Sequence, residues 1–172
     1  AAFLVYSILG WFVESVYMSF CNRKITNRGF AKGPFCPIYG VGAVCCYLIF
    51  SPLKGQYLKI YFLGALLATV FEYLVGRGMI LLFGELWWDY KEKPFNFQGI
   101  ICLESTVAWG FYALGIVHIL HGWVYALIDS LDMGLGIIIV CVLLAVALVD
   151  YCIQLGKAFH VKERYRNFMS RR

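Results

Sequence analysis

Residues 60–83 have the sequence IYFLGALLATVFEYLVGRGMILLF, and this stretch decides the fold class. Only Glu72 and Arg77 interrupt an otherwise apolar and weakly polar run. About 20 consecutive, predominantly apolar residues are enough for a helix to cross the hydrocarbon core of a bilayer. The stretch is therefore predicted to be a transmembrane helix.

Four further stretches have the same character, at residues 2–20, 35–52, 100–120 and 135–155. The whole chain of 172 residues is 62% hydrophobic and 15% charged, with a mean hydropathy of +0.74. Soluble domains have roughly 45–50% apolar and about 25% charged residues, so a soluble, disordered or fibrous protein is excluded. The predicted fold class is all-α, a polytopic transmembrane bundle of about five spans.

Residues 123–133, WVYALIDSLDM, are too short and too acidic to form another span. Apolar side chains at helical spacing stand opposite Asp129 and Asp132, which predicts a short helix lying in the membrane interface. We therefore expect one transmembrane domain over residues 1–156, followed by a basic cytoplasmic tail over residues 157–172.

Basic residues are distributed unequally between the predicted loops. Twelve of the 15 Lys and Arg lie in the first loop, the third loop and the tail, whereas two lie in the second loop. These twelve are Arg23, Lys24, Arg28, Lys32, Lys91, Lys93, Lys157, Lys162, Arg164, Arg166, Arg171 and Arg172. Because basic loops stay in the cytoplasm, the amino terminus is predicted outside and the carboxyl terminus inside. The basic residues thus orient the chain in a lipid bilayer, and despite the net charge of +5 we expect no nucleic-acid partner.

Sequence motifs for soluble enzyme chemistry are absent from this chain. It contains no GxxxxGK[ST], GxSxG, HExxH or GxGxxG, so no P-loop for ATP and no cofactor is expected. The seven Cys form no CxxC pair, so we expect no disulfides. His118 and His121 have only Asp129 and Asp132 as nearby candidate ligands, so we expect no metal site.

Five ionisable residues fall inside the predicted spans: Glu14, Glu72, Arg77, Glu104 and Asp150. A charge at the centre of a spanning helix costs about 2.5–3.5 kcal/mol, so such groups face the protein interior, pair, or stay protonated. Their depths allow them to converge on a cavity that opens to the cytoplasm. The alternative is that they are internal struts, with Arg77 paired to Glu72 or Glu104, or that they sit near headgroups.

Two loops on the predicted cytoplasmic side carry further candidates. In the first loop, Arg28 and Lys32 flank an exposed helix start, and this arrangement favours binding of an anion. The alternative is that these cations contact anionic lipid headgroups. In the third, Trp87, Trp88 and Tyr90 form either an aromatic belt or a lid. Under a lid, Asp89 and Asn96 would be polar ligands.

The two halves of the chain show a weak internal similarity. Glu14, Asn27 and Gly33-x-x-Cys36 occur in the same order as Glu72, Asn96 and Gly99-x-x-Cys102. This pattern indicates a parallel repeat with a site at the repeat interface, as in some transporters.

Several motifs together resemble one family. They are Gly10-Trp11-x-x-Glu14, Asn27-Arg28-Gly29-Phe30, GPFCPIYG at 33–40, Glu72-Tyr73, WWDY at 87–90, Asn96-x-x-Gly99, Ile101-Cys102-Leu103 and Trp109-Gly110. The chain resembles the bacterial membrane-protein family catalogued as putative ABC-transporter permeases, type IV. The resemblance implies a bacterial plasma-membrane location, a transport role, and an ATPase partner subunit. It also implies that Glu14, Asn27, Arg28, Tyr39, Glu72, Asp89, Tyr90, Asn96 and Cys102 belong to shared motifs.

The leading hypothesis is a transport or permease-type subunit of an oligomer, with a cytoplasm-facing polar cavity for an anionic or amphipathic substrate. Glu14 and Glu72 would carry protons or cations, and Arg28 would bind an anionic group. The candidate substrate-binding residues are Glu14, Asn27, Arg28, Tyr39, Glu72, Arg77, Asp89, Tyr90, Asn96 and Glu104.

Two alternatives stay open. One is an intramembrane enzyme for a lipid or isoprenoid-like substrate, with Glu14, Glu72 or Asp89 as acid, base or metal ligand and Arg28 on a phosphate. The other is a non-catalytic membrane scaffold, in which Glu72 and Arg77 form a salt bridge and no cavity exists.

Overall fold

The computed structural model describes residues 1–27 and 29–169, with side chains except those of Asn22 and of residues 159–169. This part is helical and contains no β-strand, which confirms the all-α fold class. The helices are α1 (Ala2–Asn22), α2 (Pro37–Phe50), α3 (Tyr57–Phe83), α4 (Leu103–Gly115), α5 (His121–Asp129) and α6 (Met133–Met169). A 3₁₀ turn, Ser51–Leu53, follows α2, and a π-helical turn, Ile116–Leu120, joins α4 to α5. Arg28 lies outside the described residues.

Within the described residues, four helical stretches are long and apolar enough to cross a membrane, so the chain is a multi-pass membrane protein. They are Ala2–Cys21, Tyr57–Phe83, Leu103–Asp129 and Met133–Ala158. The remaining predicted span, residues 35–52, corresponds to the shorter apolar helix Pro37–Leu53.

The first part of the segment expected to lie in the interface, residues 123–129, is helical. It continues the helix that starts at Leu103, without a break, up to Asp129. No proline interrupts this stretch, and the two acids lie where helices end and begin. Asp129 is the last residue of α5, and Asp132 accepts hydrogen bonds from the amides of Gly134 and Leu135 (2.9 and 3.1 Å) at the start of α6.

Helices α1 and α2 form a first hairpin whose connecting loop turns back along α1. The Cys36 amide donates to the Ser7 carbonyl (3.1 Å), so α2 begins beside the early part of α1. At about 1.5 Å per residue, Ser7 lies about 22 Å from the end of α1 at Asn22. A methyl group at Gly40 would collide with Ser7 and Phe3, and therefore only glycine allows this approach.

Helix α3 and the stretch from α4 to α5 form a second, antiparallel hairpin. Thr69 and Thr106 are joined by a hydrogen bond of 3.0 Å between their hydroxyl groups. Towards the loop, Gly76 leaves room for Ile100, which is fully buried. The loop over residues 84–102 therefore also turns back along the helix that precedes it.

Helix α6 lies at the periphery, and none of the residues in its apolar span are buried. Its main polar connection is Asp150, which accepts a hydrogen bond of 2.7 Å from the Gly33 amide. Next to it, Phe30 is stacked on Trp87 at 4.4 Å and contacts Tyr151 at 5.6 Å between ring centroids. A carboxylate of the chain itself thus accepts a hydrogen bond from a backbone amide of the first loop.

Candidate functional site

Six side chains from the two hairpins form what we call the carboxylate cluster. They are Glu14, Tyr39, Glu72, Tyr90, Ser105 and Trp109. Each hairpin contributes one carboxylate from its first helix. The cluster therefore lies where the two hairpins meet.

Glu72 is the buried acid of the cluster, with 5% of its surface exposed. Its Oε1 accepts a hydrogen bond from the Tyr90 hydroxyl (3.1 Å). Its Oε2 accepts from the Trp109 indole N–H (2.9 Å) and lies 3.3 Å from the Ser105 hydroxyl. All three donors are electrically neutral, so they orient the carboxyl group without cancelling a negative charge.

Glu14 is the half-exposed acid of the first hairpin, and its Oε2 accepts from the Tyr39 hydroxyl (2.8 Å). The Tyr39 ring lies 6.2 Å from the ring of Trp109, which in turn donates to Glu72. Glu14 and Glu72 also interact electrostatically. The two carboxylates thus belong to one site, although they come from different hairpins.

Tyr90 reaches the cluster from the loop between α3 and α4. Burial and the neighbouring carboxylate of Glu72 raise the pKa of its hydroxyl far above the ordinary value, and Glu14 adds to this effect. Tyr90 is therefore a hydrogen-bond donor at every physiological pH, and it ties the loop to α3.

The two halves of the cluster are built in equivalent ways. Cys36 and Cys102 are extended residues that directly precede α2 and α4. Three residues after each cysteine, Tyr39 and Ser105 point to the acid of the preceding helix, Glu14 and Glu72 respectively. This matches the internal similarity between Gly33-x-x-Cys36 and Gly99-x-x-Cys102.

Asn27 and Asn96 shape the two loops and do not touch either carboxylate through the hydrogen bonds described. Asn27 accepts from the Trp11 indole (2.6 Å) and donates to the Lys32 carbonyl (2.8 Å). Asn96 donates to the Lys91 carbonyl (3.0 Å) and accepts from the Gly99 amide.

The other predicted polar residues lie at the surface. Asp89 accepts from the amide of Lys91 (2.9 Å) within its own loop. Glu104 forms an exposed salt bridge with Lys93 (2.7 Å), and this contact raises the pKa of the lysine. Arg77 is exposed, and no ion pair joins it to Glu72 or Glu104 among the described residues.

Ser105 and Trp109 are two members of the cluster that were not predicted from the sequence. The internal similarity contained the signal for Ser105, since it occupies the same position after Cys102 that Tyr39 occupies after Cys36. Trp109 lies four residues further, and thus on the same face of α4.

Two clefts of the described part have neither Glu14 nor Glu72 in their lining. One is lined by Ser19, Phe20, Cys21 and Arg23. The other, of about 180 Å³, is lined by Thr69, Val70, Tyr73, Phe97 and Ile101. Among the described residues, no group of three or more His, Cys, Asp or Glu is placed to hold a metal ion.

Comparison with known proteins gives one match. A family model described as "Putative ABC-transporter type IV" matches residues 1–155, which include every member of the carboxylate cluster. No curated protein and no solved structure matches the chain.

Proposed function

This chain belongs to the family described as putative ABC-transporter type IV, and we propose that it is a transport subunit whose carboxylate cluster carries a proton or a small cation. The observation that carries the proposal is the environment of Glu72. This acid is 5% exposed, and its donors Tyr90, Ser105 and Trp109 are all neutral.

An ionised carboxylate in this place is costly, because a membrane protein interior solvates charge poorly. Neutral donors reduce that cost but leave the net charge, and the Glu14 carboxylate adds a second negative group. A bound proton or cation removes the cost. Glu72 is therefore the group that takes up the ion in this proposal, and Glu14 strengthens the attraction.

The position of the acids supports a role in transport. Because Glu14 and Glu72 belong to different hairpins, any movement of one hairpin against the other changes the distance between them. Separation weakens their mutual repulsion and so lowers the affinity for the shared ion. Hairpin movement and ion release are thereby coupled.

A cytoplasm-facing cavity for an anionic or amphipathic substrate forms, in this proposal, when the hairpins separate. In the described conformation the rings of Tyr39 and Trp109 lie between them. The basic loops support an amino terminus outside and a carboxyl terminus in the cytoplasm of a bacterial plasma membrane. Since the chain has no P-loop motif, ATP hydrolysis falls to a partner ATPase subunit, in an oligomeric complex.

One observation favours a second candidate function, a membrane scaffold. Glu72 is well hydrogen-bonded, and such a group can fix the register of packed helices. A scaffold needs no exchangeable ion. The two functions therefore differ in whether Glu72 titrates in the folded protein.

Infrared difference spectroscopy of the purified chain in lipid nanodiscs separates them. As the pH is stepped, the carbonyl stretch of protonated carboxylic acids should appear in the wild type, and Glu72→Gln should remove the contribution of Glu72. Glu14→Gln should shift its midpoint, because one of two repelling acids is removed. Glu104→Gln is the matched control, since Glu104 lies at the start of α4 but outside the cluster. A spectrum that Glu72→Gln leaves unchanged would refute proton binding at Glu72 and favour the scaffold.

A further inference from the structure

The Ser105 hydroxyl lies between two hydrogen-bond acceptors. Its Oγ is 2.9 Å from the Cys102 carbonyl oxygen and 3.3 Å from Oε2 of Glu72. A hydroxyl has one hydrogen, so it can donate fully to only one of these oxygens at a time. The shorter contact falls within the usual range of about 2.5–3.0 Å for a bond between two oxygens. The Cys102 carbonyl is therefore an alternative acceptor that lies within reach of the same hydroxyl.

The Ser105 oxygen can also accept hydrogen bonds, because it has two lone pairs. The Cys102 amide occupies one of them (3.3 Å), and the Cys102 thiol at 3.6 Å is a weak donor. One lone pair is thus left for Glu72. The other partner of Oε2, the Trp109 indole, has an N–H that only donates. Of the two groups that contact Oε2, Ser105 is the one that can act as an acceptor.

We propose that the Ser105 hydroxyl reverses its hydrogen bond with Glu72 when Glu72 binds a proton. In the binding step a solvent proton forms an O–H bond at Oε2, and the carboxylate loses its negative charge. The serine hydroxyl then turns its own hydrogen to the Cys102 carbonyl and accepts the new O–H, and no bond of the serine is broken. On release of the proton the hydroxyl turns back and donates to Oε2. The inference rests on the proposed function, and it names the proton as the ion that the carboxylate cluster carries.

The reversal gives both forms of Glu72 a partner. An ionised carboxylate needs donors, whereas a buried carboxylic acid needs an acceptor for its own hydrogen, and a buried donor without an acceptor is costly. A fixed donor such as Trp109 serves only the ionised form. A metal cation at Oε2 would lie beside the indole hydrogen 2.9 Å bond, which carries partial charge of the same sign. These contacts therefore favour a proton over a metal cation.

The titratable groups around Glu72 come from four other elements. Glu14 of α1 interacts with it electrostatically, and Tyr39 of α2 donates to Glu14. Tyr90 of the third loop donates to Oε1, and Cys102 at the start of α4 interacts electrostatically with Tyr90. None of these four groups carries a positive charge. Uptake of a proton thus neutralises a charge that these groups do not balance.

Infrared difference spectroscopy of the chain in nanodiscs tests the inference through the frequency of the protonated Glu72 band. Hydrogen bonds polarise a carboxylic acid and lower its carbonyl stretch, so Ser105→Ala should move the band to higher frequency. Ser105→Thr keeps a hydroxyl at this position and should restore the wild-type frequency. Thr106→Val is the matched control and should leave the band in place. The Thr106 hydroxyl also donates to the Cys102 carbonyl (3.0 Å), but its described hydrogen bonds do not include Glu72.

A second readout needs no change at Ser105, in case Ser105→Ala does not fold. In wild-type chain labelled with carbon-13 at the cysteine carbonyls, protonation of Glu72 should shift a labelled amide band to lower frequency, because the Cys102 carbonyl gains a hydrogen bond. Glu72→Gln should abolish this shift. A labelled band that stays in place while Glu72 titrates would overturn the inference.

The outcomes separate the inference from the proposed function. A Glu72 band that titrates, but has the same frequency in the wild type and in Ser105→Ala, overturns the inference and leaves proton binding at the cluster intact. If no Glu72 band appears, but its carboxylate stretch shifts when Na⁺ replaces choline, the cluster carries a cation and only the inference fails. If neither pH nor Na⁺ changes the Glu72 signals, both fail.

Discussion

Trp109→Phe isolates one hydrogen bond of the carboxylate cluster, and its effect should reveal the protonation state of Glu72. The substitution keeps an aromatic ring beside Tyr39 and removes the indole N–H that donates to Glu72 at 2.9 Å. It also makes the ring smaller, and this loss of contact does not depend on pH, so the pH-dependent part of the effect reports on the hydrogen bond. Ser105 lies 3.3 Å from the same oxygen, so that oxygen is not left without a possible donor.

The expected magnitude depends on the charge of the acceptor. A hydrogen bond between neutral groups contributes about 0.5–1.5 kcal/mol to stability, and one to a charged group about 1.5–3 kcal/mol. If Glu72 holds a proton near neutral pH, Trp109→Phe should lower the free energy of unfolding by the smaller amount. Raising the pH until Glu72 ionises should increase the loss to the larger amount.

Reversible unfolding in mixed detergent micelles, repeated at several pH values, measures this loss. Trp123→Phe is the matched control, because Trp123 belongs to the same continuous helix and is 75% exposed, so its substitution should change stability by less than about 0.5 kcal/mol. A loss for Trp109→Phe no larger than the control would show that the bond to Glu72 is not formed. A large loss that is independent of pH would show that Glu72 is ionised throughout.

Three further predictions use the same protein. Gly40→Ala places a methyl group against α1 and should lower the free energy of unfolding by about 1–3 kcal/mol, whereas Gly78→Ala meets open space and should not lower it. The raised pKa of Tyr90 means that its contribution to stability is complete below pH about 10 and is lost above it. The stability difference between wild type and Tyr90→Phe should therefore shrink as the pH rises above about 10, and a constant difference would contradict the burial of this hydroxyl. Asp150→Ala removes the acceptor of the Gly33 amide, so hydrogen exchange measured by mass spectrometry should accelerate in the first loop and not in α3.

Hydropathy predicted the helices well because the bilayer imposes length and composition on each span. It could not predict the continuation of α4 into α5. Acidic residues near position 130 resemble the polar face of an interfacial helix, yet they mark helix ends in the structure. The π turn was also beyond prediction, because a shift of hydrogen bonds by one residue requires no proline or glycine at the site.

The sequence predicted how deep each polar residue lies along its helix, but it did not predict the direction in which the side chain points. Arg77 follows Glu72 by five residues, and at about 100° per residue it points about 140° away around α3. Glu104 immediately precedes Ser105 and so points about 100° away from it. Both residues lie at a suitable depth for the cluster, and both face away from it.

The bond between Asp150 and the Gly33 amide has a consequence for how the chain is assembled during its synthesis. The first loop contains non-helical backbone beside α1, and one of its amides finds its partner in a residue 117 positions later. At about 5–20 residues per second, the ribosome adds that residue about 6–23 s after Gly33. During that interval the loop lacks its carboxylate, and the amino-terminal hairpin reaches its final form only when the last helix arrives.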